Sequence, residues 1–278
     1  MKPLHVALGA GLALALAATQ PLLAAEAAKA KPAPAAAKAK PAPVARNKPA
    51  PAATTANPDD IDPAALTALT RMSAYLGTLT TFDIKSDTSL QLVMEDGQKL
   101  NVDGKSHYLV RRPDGFVIEV VTDRKERQFI YDGKSLIVNA PKLGYYTKVP
   151  APPTIRETLD AAYEKYGISL PLEDLFRWSD PTLQRANLVQ SAMVVGMATV
   201  DGVPCDQYAF REGDVDWQIW IQRGDKPLPR KVVIADRLDA SHPEYAATLN
   251  WDTSPSVAGD AFAFNPSADA KAIRMAAQ

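Results

Sequence analysis

Cysteine and histidine are nearly missing from these 278 residues, which removes several kinds of chemistry at once. The single thiol, Cys205, cannot form an internal disulfide, and a Cys-rich zinc or iron–sulfur site is excluded with it. No cysteine lies near the N-terminal apolar run, so the acylated-cysteine route to a membrane anchor is closed. Beyond the first few residues only His107 and His242 occur, neither at ligand spacing from another His or Cys, and no metal or other cofactor is expected. There is no Gly-x-Ser-x-Gly elbow. Two phosphate-loop look-alikes, Gly104-Lys105-Ser106 and Gly133-Lys134-Ser135, have Lys99 and Gln128 where the first glycine must stand, and both read as hairpin turns. Glu212, Asp214 and Asp216 alternate through a turn, the pattern of solvated acids rather than of an acid–base pair. No stretch reaches the roughly 18 apolar residues of a membrane span. The chain therefore carries no recognisable catalytic set and reads as a non-enzyme.

What is present begins with a targeting segment. Met1–His5 holds one Lys, Val6–Ala18 is an uncharged Ala/Leu-rich run, and Ala24-Ala25-Glu26-Ala27 supplies small residues for cleavage. That is the build of a secretory signal peptide over residues 1–25, with a retained anchor as the alternative. Residues 26–57 are almost all Ala, Pro and Lys, with Lys-Pro-Ala-Pro repeated at Lys31, Lys40 and Lys48, which favours extended polyproline II and offers nothing to bury. The segment reads as a disordered spacer, either a solvated stalk or a cationic arm touching a membrane surface or peptidoglycan. Residues 1–57 carry seven Lys/Arg and one acid, whereas the remainder carries 24 Lys/Arg and 31 Asp/Glu. An acidic globular part lacks the clustered positive face that nucleic acid requires.

Residues 58–278 are long enough for one β-rich domain with a full core. Asp62-Pro63 is a helix start, because Asp caps free N–H groups and Pro fits the first helical position; Leu66, Leu69, Met72 and Leu76 continue it as an amphipathic stripe. The period then falls to two. Alternating runs at Leu90–Met94, Tyr108–Arg112, Phe116–Val120, Phe129–Tyr131 and Leu136–Val138 are separated by turns such as Asp96-Gly97, Asp114-Gly115 and Asp132-Gly133. Thr154-Ile155-Arg156-Glu157 is a capping box opening a helix that Gly167 and Pro171 end, and Leu170–Trp178 reads as a second short helix. Strands resume at Val194–Val200, Tyr208–Phe210, Trp217–Ile221, Lys231–Ala235, Tyr245–Trp251 and Phe262–Phe264. Strands grouped before and after helices exclude a doubly wound parallel sheet and predict an α+β fold: a curled antiparallel sheet, an unclosed half-barrel, with helices over its concave face.

Three segments in this order resemble a known family. Val110-Arg111-Arg112-Pro113-Asp114-Gly115-Phe116 and Ile130-Tyr131-Asp132-Gly133-Lys134-Ser135-Leu136 look like the strand–turn–strand centre of the periplasmic lipoprotein carrier LolA. Asp260-Ala261-Phe262-Ala263-Phe264-Asn265-Pro266 resembles that family's closing strand. The likeness spans roughly residues 62–272 and is greatest to a branch of predicted periplasmic proteins in that superfamily. It implies a helical lid over an apolar cavity that accepts acyl chains, with Arg112 at the position whose arginine contacts the lid and bears on cargo release. On strand parity Arg112 shares a face with Tyr108 and Val110; the alternative is that it caps the turn.

The expected cavity wall is Leu92, Met94, Tyr108, Val110, Arg112, Phe116, Ile118, Val120, Trp217 and Ile219, each of which could equally be ordinary core. The resulting expectation is a periplasmic binding protein for a lipid or an acylated lipoprotein, with transient membrane contact. The alternative is an envelope-stress sensor that recognises a membrane-anchored protein. The Ala/Pro/Lys spacer and the long two-helix middle depart from the carrier's pattern.

Overall fold

The computed structural model describes residues 60–177 and 188–276. The signal peptide expected at 1–25, the spacer expected at 26–57 and the end of the second short helix at Trp178 lie outside the described residues.

Helix α1 (Pro63–Thr78) begins as its sequence dictates: the Asp62 carboxylate accepts from the Ala64 N–H at 2.8 Å, and Ala65, Leu69, Met72 and Leu76 form its buried stripe. Six strands follow as a meander: β1 (Thr81–Val93), β2 (Lys99–Arg111), β3 (Gly115–Thr122), β4 (Glu126–Tyr131), β5 (Ser135–Ala140) and β6 (Tyr145–Pro150). Helix α2 (Ile155–Tyr166) is capped by Thr154, whose hydroxyl accepts from the Glu157 N–H, and it stops at Gly167 in the left-handed region (φ 63°). A four-residue helix α3 (Asp174–Arg177) precedes a second meander: β7 (Val189–Val200), β8 (Val203–Glu212), β9 (Val215–Gln222), β10 (Pro229–Asp236) and β11 (Glu244–Asp252).

A single sheet joins both meanders, because β1 pairs antiparallel with β11 from Asp83↔Asp252 to Leu90↔Tyr245. A last short strand, β12 (Lys271–Ala272), completes the order β12-β6-β5-β4-β3-β2-β1-β11-β10-β9-β8-β7, so the sheet is unclosed, with different strands at its two edges. Alternation sorts the side chains by face, most clearly in β9, where every second residue is buried. Phe82 and Ile84 of β1, Tyr108 and Val110 of β2, Phe116 and Ile118 of β3, and Ile219 of β9 form one core with Met72 and Leu76 of α1, Leu159 of α2 and Leu175 of α3. The helices thus cover the inner face of an antiparallel half-barrel.

Several local expectations are corrected. Phe262–Phe264 is not a strand; the closing strand is β12, which pairs parallel with β6. Instead, the segment from β11 to β12 straps the outer face. Phe262 is buried with the Arg111 guanidinium 4.6 Å above its ring, and Phe264 meets Tyr146 at 5.2 Å. Replacing Phe262 by Ala should cost about 3 kcal/mol, measured by urea unfolding, because a buried ring is removed from beneath the strap. Gly104 lies inside β2, not in a turn: a Cβ there would meet the Val121 carbonyl oxygen at 2.8 Å, so the close approach of β3 requires glycine. Among the described residues the second short helix covers Asp174–Arg177 and starts later than expected, since residues 171–173 form a turn. The acids after β8 are not uniformly solvated. Glu212 is buried, and Asp216 is gripped by Arg211 through two bonds of 2.7 and 2.9 Å, which lower its pKa from the usual carboxylate value.

Candidate functional site

Cross-strand register places most of the predicted wall side by side. Tyr108 stands opposite Ile118 and Val110 opposite Phe116, while Trp217 and Ile219 enter the same core from β9, five strand positions from β3. Tyr108, Val110, Phe116, Ile118 and Ile219 have no exposed surface and Trp217 retains 5%. Side chains without surface touch protein on every side, so in this conformation helix residues occupy the hollow next to them. Leu92 and Val120 are half-buried towards the open ends of their strands. Met94 does not belong to the wall: alternation stops at Val93, the Met94 N–H bonds the Gln98 carbonyl in the hairpin, and the side chain is 46% exposed at the tip.

Arg112 follows the last residue of β2, and its N–H donates to the Thr80 carbonyl at 2.7 Å. Its guanidinium lies 5.5 Å from the centroid of the buried Phe82 ring, on the inner side. Among the described residues no carboxylate or carbonyl hydrogen-bonds it, so the ring face is its recorded partner, and burial lowers its pKa from the ordinary arginine value. Of the two readings of Arg112, the inner-face placement agrees with this geometry. Arg111 points the other way, to Asp114 at 3.1 Å.

The cover over this wall is the segment from α2 through α3. Gly167 turns the chain, and Leu170, Leu172 and Leu175 bury their side chains in the core. Phe176 reaches both Phe82 and Phe116 with ring centroids 6.4 Å apart. Within the cover the backbone bonds are local, from the Glu173 N–H to the Leu170 carbonyl, from Leu175 to Leu172 and from Phe176 to Glu173. Tyr108 donates its hydroxyl to the Pro171 carbonyl at 3.0 Å, and Leu172 sits at φ +56°, a left-handed conformation that is costly for a branched residue. Sequence reasoning missed this cover except as a short helix. It also missed Phe82 and Tyr245, whose signal was present in alternation extending before Leu90 and through Tyr245–Trp251.

An open groove of about 800 Å³ lies on the outer face, lined by Asp87, Asp103, Lys105, Lys142 and Lys231 among others. Its exposed Lys105–Asp87 pair at 3.6 Å contributes little, and its charged walls do not suit an acyl chain. Among the described residues no helix is long and apolar enough to cross a membrane.

Comparison with known proteins adds the following. The sequence profile of the family described as "Predicted periplasmic protein (DUF2092)" matches residues 65–276. No curated protein sequence matches significantly. Similar solved structures include an uncharacterized conserved protein from Thermus thermophilus, at 10% identity and TM-score 0.44, covering 76% of this chain and 99% of that one. LprF from Mycobacterium bovis is 12% identical with TM-score 0.42, over 73% of this chain and 99% of LprF. A LolA superfamily protein from Nitrosomonas europaea is 8% identical with TM-score 0.36, over 72% and 97% of the two chains.

Proposed function

The chain belongs to the DUF2092 family of predicted periplasmic proteins, and on that premise we propose that it is a non-catalytic periplasmic protein, exported by a cleaved signal peptide at 1–25, that binds a lipid or the acyl chain of a lipoprotein. One observation carries the reading: part of a wide apolar sheet face, beside the stretches that α1 and α2 cover, is closed by residues 167–177, a segment with only one short stretch of helix. Residues 167–177 bury Leu170, Leu172 and Leu175 on the wall, and an acyl chain that displaces them would take over those apolar contacts. Each methylene removed from water contributes about 0.8 kcal/mol, so a chain of ordinary length offsets the loss of the segment's own contacts. The wall that would receive it is Tyr108, Val110, Phe116, Ile118, Trp217 and Ile219, with Leu92 and Val120 towards its ends and Arg112 at its rim.

The test is uptake of a fluorescent fatty-acyl probe by the purified protein, together with native mass spectrometry of protein taken from its own envelope. Saturable uptake and a co-purified lipid mass support the carrier; absence of both would sink it. The second reading, recognition of a membrane-anchored protein, is favoured by the edge strand β7. Residues 60–62 already bond its edge at Ala192, but beyond that point it is free of charged residues and exposes Val194, Val195 and Met197, the last to 79%, where an extended partner segment could add a strand. Capture of such a partner without lipid uptake would favour that reading.

A further inference from the structure

The inner wall is not uniformly apolar. Ser86 of β1 and Ser106 of β2 stand directly opposite each other on the inner face, each with 4% of its surface exposed. The Ser86 and Ser106 hydroxyl oxygens and the Tyr245 hydroxyl of β11 are buried with no hydrogen-bond partner among the described residues. Tyr108, two residues along β2 from Ser106, is fully buried, and its hydroxyl spends its one donor on the Pro171 carbonyl. The Ser86 and Ser106 hydroxyls thus lie next to one that donates to the cover, whereas Tyr245 stands opposite Leu90, four positions farther along β1 from Ser86; a buried hydroxyl without a well-made bond costs about 1–3 kcal/mol. The residues around them on the same face (Thr88, Gly104, Ala247 and Leu249) carry no charge. Burial drives the pKa of Tyr245 well above its usual value, and the nearby Tyr108 phenol adds to the rise. Burial raises Tyr108 as well, by more than the hydrogen-bonding approach of the Ser106 hydroxyl lowers it. Both phenols therefore stay neutral donors.

Resting on the carrier reading above, we propose that Ser86, Ser106 and Tyr108 form the seat for the carbonyl group of an uncharged acyl ester, a seat that the Pro171 carbonyl fills while the cover is closed. The ligand's carbonyl oxygen replaces that of Pro171 as acceptor from Tyr108 and takes a second hydroxyl with its other lone pair. The alkyl chain then lies along Val110, Phe116 and Ile118. A carboxylate is the poorer ligand, because among the described residues on this part of the sheet face none flanking the hydroxyls is cationic, and its charge would be stripped of water.

The experiment compares three pyrene-labelled probes of equal chain length: a hydrocarbon, its methyl ester and the free acid at pH 8. Each is titrated into the full chain and into a Ser86→Ala/Ser106→Ala variant. The wild type should bind the ester about tenfold tighter than the hydrocarbon, and the variant, which keeps only the Tyr108 donor, should lose part of that preference while keeping hydrocarbon affinity. The ligand-free variant should melt no lower than wild type, since its changes remove two unpaired buried hydroxyls. Equal binding of ester and hydrocarbon, an undiminished preference in the variant, or tighter binding of the free acid would each overturn the seat while leaving the carrier reading intact. If no probe binds at all, the carrier reading falls and the seat falls with it.

Discussion

An Ile118→Asp protein should lose about 4–5 kcal/mol of stability and fail to give a cooperative urea transition near that of the wild type. Ile118 has no exposed surface, lies between Tyr108 on one neighbouring strand and Phe129 on the other, and belongs to the cluster that α1, α2 and α3 share. A carboxylate there would stand between Tyr108 and Phe129, with no cation at either strand neighbour, and an unpaired buried charge is among the costliest single changes in a protein of ordinary marginal stability. The measurement also decides between two pictures of the sheet. If Ile118 faced a hollow open to solvent, the carboxylate would hydrate and stability would change by less than about 1 kcal/mol. A large loss means that helix side chains seal this part of the wall until a ligand displaces them. The substitution belongs in protein stripped of lipid, because a resident ligand would itself stabilise the folded form.

Local chemistry made much of this fold readable in advance. Asp62-Pro63 and Thr154-x-x-Glu157 mark helix starts through single hydrogen bonds made within three residues, and both caps stand where the sequence puts them. Asp-Gly turns and the alternation of Tyr108, Val110, Phe116 and Ile118 likewise depend on near neighbours, which is why strand faces came out correctly. Met94 failed because alternation alone does not say where a strand stops; the turn bonds between Met94 and Gln98 do. The β1–β11 pairing, which fuses two meanders into one sheet, joins segments far apart in the chain and leaves no local trace. The same holds for β12, two residues whose parallel pairing with β6 depends on a strap crossing the outer face. Phe262 was legible as apolar but not as the anchor of that strap.

The wall residues show a different limit. Parity assigns Tyr108 or Phe116 to the inner face, yet whether a void or Leu175 lies opposite is decided by the helices, which the strand pattern does not encode. The hydroxyls of Ser86 and Ser106 were invisible for a related reason. A serine in an alternating strand reads as an outward residue until its neighbours on both sides place it inward, as Ile84 and Tyr108 do here.

Replacing Leu175 by Asp should lift the cover without unfolding the sheet. Leu175 is 2% exposed, yet it sits on a four-residue helix, far too short to be stable by itself, so its place is set by the packing of that side chain. A carboxylate at this position would be buried without a partner if the segment stayed closed. Release of residues 167–177 into water costs less than burying that charge, and the response is local opening. The loss of a buried leucine together with the charge shifts the closed-to-open balance by about 10- to 100-fold. Apparent affinity for a hydrocarbon probe should rise, because a ligand that must wait for a rare open state binds more weakly by the fraction open. Hydrogen exchange supplies the independent readout: amides of residues 167–177 should lose protection while those of β2 and β3 keep theirs. Loss of protection throughout β2 and β3 would mean that α3 is part of the global core, and the cover would then have to be sought elsewhere. Weaker probe binding with intact strands would mean that Leu175 is itself a ligand contact, so that the segment closes over its cargo instead of yielding to it.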